Sequence, residues 1–568
     1  AYVDTPLLDS YRQVKELLGI DGQHLGSNNW VVDGSMTATG RPMLANDTHL
    51  SIQMPSIWYE NHLVGGDLDV VGFSFPGAPG VIIGHNRHIA WGVTNLGPDV
   101  QDLYVEKVNP ENPNQYEFQG RWEDMTIINE EIKVKGRAEP EKLTVRLTRH
   151  GPLMTAVVPE VTEQLALRWT ALEGQQLIRS VFMLDRARNW DEFRGALHYW
   201  HAPSQNFVYA DVEGNIGYQM PGQIPIRAKG EGLVPVPGWT GEYEWTGYIP
   251  FEELPSVLNP ATHYVVTANN KVVPDDYPYF ISHEWAEPFR AQRIADLLEA
   301  KDELTLDDLR DIQADTYSIL DAILTGYVLE LGPEGWLQER AFRFLENWDF
   351  RLERESGAAG IMEVMLWRLL VNAFGDELQS AGVDEGEFLG RTTALLNIIA
   401  DRDSPWFDDV RTAEVEDRDD VIRRSAQETM DFWGRRYGDL PGNKDSQWAW
   451  SKVHVAKFEH VLGSVKPLHL IFNRGPVPTQ GGGETVNAAG YKRGGFSQRS
   501  VPSQRQILDV GEWQNSRSQH TTGQSGLPFH KHYSDMISPW QKVQHHPMLY
   551  EIDEIVANQE GLLVLEPS

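Results

Sequence analysis

The sequence predicts an α+β fold, a layered β core interrupted by a helical insertion, and three observations carry that reading. Between Ser27 and about Asn270, short apolar or alternating runs recur, separated by Gly, Pro, Asn and Asp clusters; this is the texture of strands and tight turns. From about Glu287 to Tyr437, apolar residues recur at helical spacing. After about Gly442 the strand texture returns. Strands on both sides of a helical excursion that complete the same sheets make one layered core with a helical lobe rather than separate domains.

In chain order, residues 1–26 read as a short helix, with Leu7, Leu8, Tyr11, Val14, Leu17 and Leu18 at helical spacing, running through Gly19 into a linker that ends at Leu25-Gly26. Residues 27–286 form the first, β-rich part of the core, with strands expected near 30–32, 70–75, 81–83, 89–94, 143–147 and 207–210. Residues 207–220, turning at Glu213-Gly214-Asn215, read as a hairpin. The stretch 232–238 (GLVPVPG) reads as an extended loop, because two closely spaced prolines forbid a central strand. Residues 287–441 are the helical excursion. Within it Leu306, Leu309, Ile312, Ile319 and Leu320 fit one helical face, and Thr305 with Asp308 forms a capping-box pattern. Residues 442–568 return to the core, with strands expected near 448–455 and 506–510.

Composition removes several functions. Lys plus Arg is 49 and Asp plus Glu is 82, a net charge of −33. Nucleic acid and anionic membranes require clustered cations, so neither is expected as a partner. The 19 Trp, 19 Tyr and 20 Phe argue for a packed core despite that charge. Zero Cys excludes disulfides, thiolate nucleophiles and Cys–zinc sites. No run of 18 apolar residues is present to span a bilayer. No Gly-Lys dipeptide and no G-x-S-x-G occur, which removes the Walker-A loop and the α/β-hydrolase elbow. His283-Glu284 lacks the second histidine of a zincin helix, and Gly481–Gly483 lacks dinucleotide spacing. His520, His530, His532, His545 and His546 match no metal-ligand spacing and read as solvated loop residues.

What remains is a set of ordered segments. Gly26-Ser27-Asn28-Asn29-Trp30-Val31-Val32 joins the linker directly to an apolar strand, and Thr39 to Leu50 (TGRPMLANDTHL) follows at once. Then come Gly84-His85-Asn86, Trp91-Gly92-Val93-Thr94-Asn95, Ala268-Asn269-Asn270 and Phe289-Arg290-Ala291-Gln292-Arg293-Ile294. Phe472-Asn473-Arg474-Gly475-Pro476, Gly483-Glu484-Thr485-Val486-Asn487-Ala488, residues 503–513 and Gly523-Gln524-Ser525-Gly526 complete the series. Each segment is weak singly, but together, in this order, the chain from about residue 7 onward resembles the penicillin acylase family of N-terminal nucleophile (Ntn) hydrolases, which includes cephalosporin and acyl-homoserine lactone acylases.

The resemblance implies a four-layer αββα sandwich with a helical insertion. It implies autoproteolysis of a zymogen at Gly26–Ser27, freeing Ser27 as nucleophile with its own α-amine as base. That amine titrates near neutrality, so no separate triad is needed. It implies an oxyanion site from the backbone N–H of Asn95 and the side-chain amide of Asn269, with Arg290 orienting that amide or the substrate. His49 is placed to orient or polarise the serine, and Glu484 is a carboxylate partner. Leu50, Ile83 and Val93 would line the acyl pocket. Asp99, the Gln101 carbonyl and Asp102 match a structural calcium site, although Ile281, Ser282 and His283 stand where a further aspartate is expected. No organic cofactor is implied. The partner would be an upstream α-subunit from the same precursor, and the location the periplasm or the medium.

The function expected is hydrolysis of a small-molecule amide joining a hydrophobic acyl group to a polar amine, such as a β-lactam antibiotic nucleus or homoserine lactone. The alternative is a secreted protein of the same fold that never matures and binds acyl compounds without turnover. A glycoside hydrolase is disfavoured, because no carboxylate pair stands out.

Overall fold

A computed structural model of the chain describes residues 26–156, 163–380, 392–438 and 445–566. The helix expected before Gly26 lies outside the described residues. The core is two seven-stranded sheets packed face to face. In the first, strand β1 (Gly26–Val32) lies between β2 (Met43–Ser51) and the strand Tyr264–Thr267. Beyond β2 the sheet continues through Gln498–Asp509, Arg517–His520 and His546–Pro547, with Gly490–Tyr491 also pairing Gln498–Asp509. The second sheet contains β3 (Tyr59–Gly65), β4 (Leu68–Ser74), β5 (Ile83–Asn86) and β6 (Ile89–Asn95), extended by Gln205–Asp211, Ile216–Gln219 and Ser256–Leu258.

Both faces of β1 and of most of β2 are buried, and period-two alternation divides their side chains between two packed layers. Val31, Leu44 and Leu508 point to the second sheet and join Val70, Phe73, Ile83 and Phe207 in one cluster. Trp30, Val32, Met43, Ala45 and Ile507 point the other way, onto Ile294 and Leu298 of helix Phe289–Glu299 and onto Leu306, Leu309 and Ile312 of helix Leu306–Gln313. Strands buried on both faces lose the polar half of the alternation. On the far side of the second sheet, helices Leu177–Leu184 and Trp190–Leu197 contribute Val181, Leu184, Phe193 and Leu197. The layers therefore run helices, sheet, sheet, helices, the αββα sandwich. The two sheets are also stitched by one polar side chain. Asn46 of β2 donates from Nδ2 to the Val93 carbonyl (2.9 Å) and accepts the Val93 N–H at Oδ1 (3.2 Å). This fixes β6, which ends in Asn95, against the strand that neighbours Ser27.

The helical lobe packs Leu324, Ala341, Met362, Met365, Leu369, Ile422 and Trp433 into a separate core. Its longest helix, Gly357–Ser380, is long and apolar enough to cross a bilayer, but 78% of its most apolar window is buried inside the lobe. At Gly360 a Cβ would fall 2.3 Å from the Trp448 carbonyl, and Trp433 Nε1 donates to the Gly360 carbonyl at 3.1 Å. Only glycine admits so close an approach.

Several local expectations hold. The Thr305/Asp308 capping box forms at helix Leu306–Gln313, and Gln205–Asp211 pairs with Ile216–Gln219 through a turn at Gly214 (φ 101°). Others need correction. The face drawn from Leu306 to Leu320 breaks in two, because Ser318 caps a new helix, Ile319–Leu331. Residues 448–455 are mostly short 3-10 turns, with the strand only at Val455–Phe458. Within GLVPVPG, Val236–Pro237 forms a two-residue edge strand, where a missing N–H is tolerated. His520 is not a solvated loop residue but is fully buried on the strand Arg517–His520.

Candidate active site

The site begins where β1 begins. β1 and β2 pair antiparallel with Gly26 opposite His49, Ser27 opposite Thr48 and Asn28 opposite Asp47. Alternation puts Gly26, Asn28, Asp47 and His49 on the face toward helix Phe289–Glu299, and Ser27 on the face toward the second sheet. Ser27 is buried, and its Oγ donates to the carbonyl of Gly26 at 2.5 Å. The Ser27 N–H donates to Asn269 Oδ1 at 2.7 Å. The hydroxyl thus rests on the carbonyl of the Gly26–Ser27 peptide bond, and Asn269 holds the nitrogen of the same bond.

Asn269 follows strand Tyr264–Thr267 and adopts a left-handed backbone (φ 65°), a conformation Asn accepts more readily than most residues. Its Nδ2 donates to the Asn95 carbonyl at 2.8 Å. Asn95 ends β6 and faces Gln205, and its side chain is exposed. Arg290, the second residue of its helix, is buried and binds three oxygens. Nη1 donates to the Ser27 carbonyl (2.9 Å) and to Asn28 Oδ1 (2.8 Å), and Nη2 donates to Asn269 Oδ1 (3.0 Å). The guanidinium therefore fixes which end of the Asn269 amide faces Ser27.

His49 is buried with its Nε2 at 2.9 Å from Asp47 Oδ2. A carboxylate only accepts, so Nε2 carries the proton. Burial, with Arg290 and Arg505 nearby, lowers the His49 pKa and keeps the ring neutral. Its bare Nδ1 then faces Gly26, 3.4 Å from where a Cβ on that residue would stand. The expected carboxylate partner, Glu484, is not the residue that meets His49. Among the described residues no hydrogen bond or ion pair joins the two, and Asp47 takes that place. Glu484 is half-buried, and burial, opposed by Arg290, pushes its carboxyl up to about 7.

Leu50, Ile83 and Val93 belong to one apolar cluster with Val31, on the Ser27 side of the sheet, and Trp58 and Phe73 join them. Sequence reasoning missed those two aromatics, and it missed Asp47 as well. Their signals were faint: Trp58 follows a cis-proline turn at Met54-Pro55, and Asp47 is a charge inside a strand buried on both faces.

The proposed calcium ligands are met by a cation from the chain itself. The Arg227 guanidinium donates from Nε to both Asp102 oxygens (3.0 and 2.9 Å), and from Nη2 to Asp102 Oδ1 (2.6 Å) and Asp99 Oδ1 (3.1 Å). Trp245 Nε1 also donates to Asp102 Oδ2 at 2.7 Å. Gln101 opens the strand Gln101–Val105 opposite Trp169. Ca2+ takes six to eight oxygen ligands, whereas here nitrogen donors saturate the carboxylate. No group of three or more His, Cys, Asp or Glu side chains is placed to hold a metal among the described residues. This donor set does not fit a divalent cation.

A four-layer αββα sandwich with a serine hydroxyl on the preceding carbonyl, at the head of an inner strand, defines the Ntn-hydrolase class. Comparison with known proteins agrees. The penicillin amidase family profile matches residues 4–557, and the chain belongs to that family of amide hydrolases. It is 32% identical to penicillin acylase 2 proenzyme of Pseudomonas sp. (strain SE83), over 94% of this chain and 68% of that protein. It is 29% identical to the acyl-homoserine lactone acylase QuiP of Pseudomonas aeruginosa, over 98% of this chain and 72% of that protein. A solved thermostable penicillin G acylase from Alcaligenes faecalis shares the fold, with a TM-score of 0.73 at 22% identity, covering 95% of this chain and all of that one.

Proposed function

We propose that this chain matures by cleavage of Gly26–Ser27 and then hydrolyses an amide between a hydrophobic acyl group and a polar amine through an acyl-Ser27 intermediate. The observation that carries the reading is the 2.5 Å contact of Ser27 Oγ with the Gly26 carbonyl, on a peptide whose N–H is bound by Asn269. In the maturation step Oγ adds to the Gly26 carbonyl carbon, the bond to the Ser27 nitrogen breaks, and that nitrogen takes a proton. Water then hydrolyses the ester to leave a Gly26 carboxylate and a free Ser27. In turnover the α-amine, a base near neutrality, accepts the Oγ proton as Oγ attacks the substrate amide. Asn269 Nδ2 and the Asn95 N–H supply the fixed donors that a tetrahedral oxyanion needs.

The apolar cluster beside Ser27 supports a hydrophobic acyl group, and the similarity to penicillin and acyl-homoserine lactone acylases supports a β-lactam nucleus or homoserine lactone as the amine. A partner subunit from the same precursor, and export to the periplasm or medium, belong to the same reading and rest on similarity alone.

The test is intact mass with N-terminal sequencing of the expressed precursor, followed by a panel of acyl amides. A new chain beginning Ser27-Asn28-Asn29-Trp30, and loss of both cleavage and amide hydrolysis in Ser27→Ala, are expected. An Ser27→Ala protein that still cleaves or turns over refutes the mechanism. A folded precursor that stays whole and binds an acyl amide stoichiometrically, releasing no amine, establishes the non-catalytic binding protein instead.

A further inference from the structure

A densely built charged cluster outside the Ser27 constellation surrounds Arg227. Arg227 ends the short strand Pro225–Arg227, opposite Trp245, and its side chain and that of Asp102 are each only 3% exposed. Its guanidinium lies 6.0 Å from the ring centroids of both Trp245 and Phe280. Besides the contacts to the two carboxylates, Nη2 donates to the backbone carbonyl of Asp99 at 3.2 Å. The surrounding backbone is shaped for this side chain. Gly232 has φ 78°, and a Cβ there would fall 2.3 Å from Asp102 Oδ1 and 2.7 Å from Arg227 Nη2. A planar fork that sets two nitrogens on one carboxylate and one of them also on a second is what Arg supplies and Lys does not.

We propose that Arg227 is the resident cation of this site, neutralising and cross-linking Asp99 and Asp102 so that the protein needs no calcium there, and acting as a positioning residue for the oxyanion donors. The second half rests on the reading of Asn95 and Asn269 given above. The connection is continuous. Residues 96–101 carry the chain from Asn95 to Asp102. The Asp99 N–H donates to the Ile281 carbonyl at 2.8 Å, and the Ala286 N–H donates to the Asn269 carbonyl at 3.0 Å. Arg227 therefore ties the segment leaving Asn95 to the Trp245 hairpin, and Asp99 ties that segment to the stretch leading back to Asn269.

Two experiments test the two halves. The matured protein is dialysed against EDTA, its calcium content is measured, and its thermal midpoint is followed with and without millimolar CaCl2. No stoichiometric calcium and an unchanged midpoint are expected; one calcium per chain, or a midpoint that falls in EDTA, overturns the proposal. This arm reads no activity, so it stands whether or not Ser27 is the nucleophile. Arg227→Gln is expected to lower the midpoint by several degrees and to regain part of it in CaCl2, because the buried Asp102 carboxylate then loses the guanidinium that neutralises it. Should that variant fail to fold, Arg227→Lys keeps the charge without the fork. It is expected to lose about tenfold to 100-fold in kcat with KM changed less than about twofold, the effect of misplaced donors. An Arg227→Lys enzyme with unchanged kcat overturns the positioning role, while inactivity confined to Ser27→Ala variants would leave the proposed function standing.

Discussion

Replacing Arg290 by Met is the sharpest probe of the site, because the structure sets its cost in advance. Met keeps most of the volume and removes the donors. Asn28 Oδ1, fully buried, loses its 2.8 Å bond, the Ser27 carbonyl loses one at 2.9 Å, and Asn269 Oδ1 keeps only the Ser27 N–H. A buried acceptor left without its donor costs about 1–3 kcal/mol. Removing the guanidinium also relieves its own desolvation, the burial that depresses its pKa, while leaving Asp47 and Glu484 without its charge. The net expectation is about 2–4 kcal/mol of stability, less than the sum of orphaned acceptors. The effect on rate is separable. With one of three anchors gone, the Asn269 amide is held only by the Ser27 N–H and the Asn95 carbonyl, and the loss of a fixed oxyanion donor, roughly 100-fold to 1,000-fold, is the upper bound on the effect. Urea unfolding reads the first quantity and intact-mass kinetics of Gly26–Ser27 cleavage reads the second. Arg290→Lys, with its charge but not its fork, should recover stability more fully than rate. If Arg290→Met unfolds at the wild-type urea midpoint and cleaves at the wild-type rate, the claim that Arg290 orients Asn269 is wrong.

Two further outcomes follow from the same geometry. In Gly26→Ala the new Cβ would stand 3.1 Å from Asn269 Oδ1 and 3.4 Å from both Arg290 Nη2 and His49 Nδ1, three groups already fixed by hydrogen bonds; cleavage should slow at least about tenfold while the fold survives, and wild-type cleavage kinetics would contradict this. Asp185 caps helix Leu177–Leu184, is 1% exposed, accepts from the Val81 N–H at 3.2 Å, and burial pushes its carboxyl up to about 7. A folded pKa above the unfolded one means stability that is complete below the unfolded value and lost as pH rises toward 7. Wild type should therefore lose about 2–3 kcal/mol more than Asp185→Asn between pH 5 and pH 8, and parallel pH–stability curves for the two would exclude a neutral Asp185.

The fold was legible where its determinants are local. The run Trp30-Val31-Val32, the turn at Gly214 and the Thr305/Asp308 cap each announce themselves within a few residues. The serine and its oxyanion residues were legible only as ordered fragments, because Ser27 and Asn269 meet across 242 positions. The partners of those residues were not legible. Asp47 and His49 share a face by simple alternation, yet that Asp47 serves His49 depends on both being sealed in by the strand Gln498–Asp509 and the helix above. Glu484 was expected there because a carboxylate in the right segment looks the same in sequence wherever its side chain ends. Arg227 lies 125 positions from Asp102, and nothing local marks an arginine as the occupant of a place where a metal was expected.

On the proposed reading, maturation and turnover pose different proton problems, and Asn269 faces both. In the uncut chain the Ser27 nitrogen is an amide and cannot act as a base, so the Oγ proton must pass to another group. His49 is not placed to take it, because its Nε2 is committed to Asp47 and it stands on the helix-facing side of the sheet, while Ser27 faces the second sheet. Once the bond is cut, the nitrogen becomes an amine with its own lone pair, still within the reach of Asn269 Oδ1. An amide N–H and an amine N–H donate along much the same line, so Asn269 keeps its partner when the chain terminus becomes the base. On the proposed reading the site needs no rearrangement to pass from one reaction to the next. That economy follows from placing nucleophile and carbonyl on the first two residues of a strand whose register β2 already fixes.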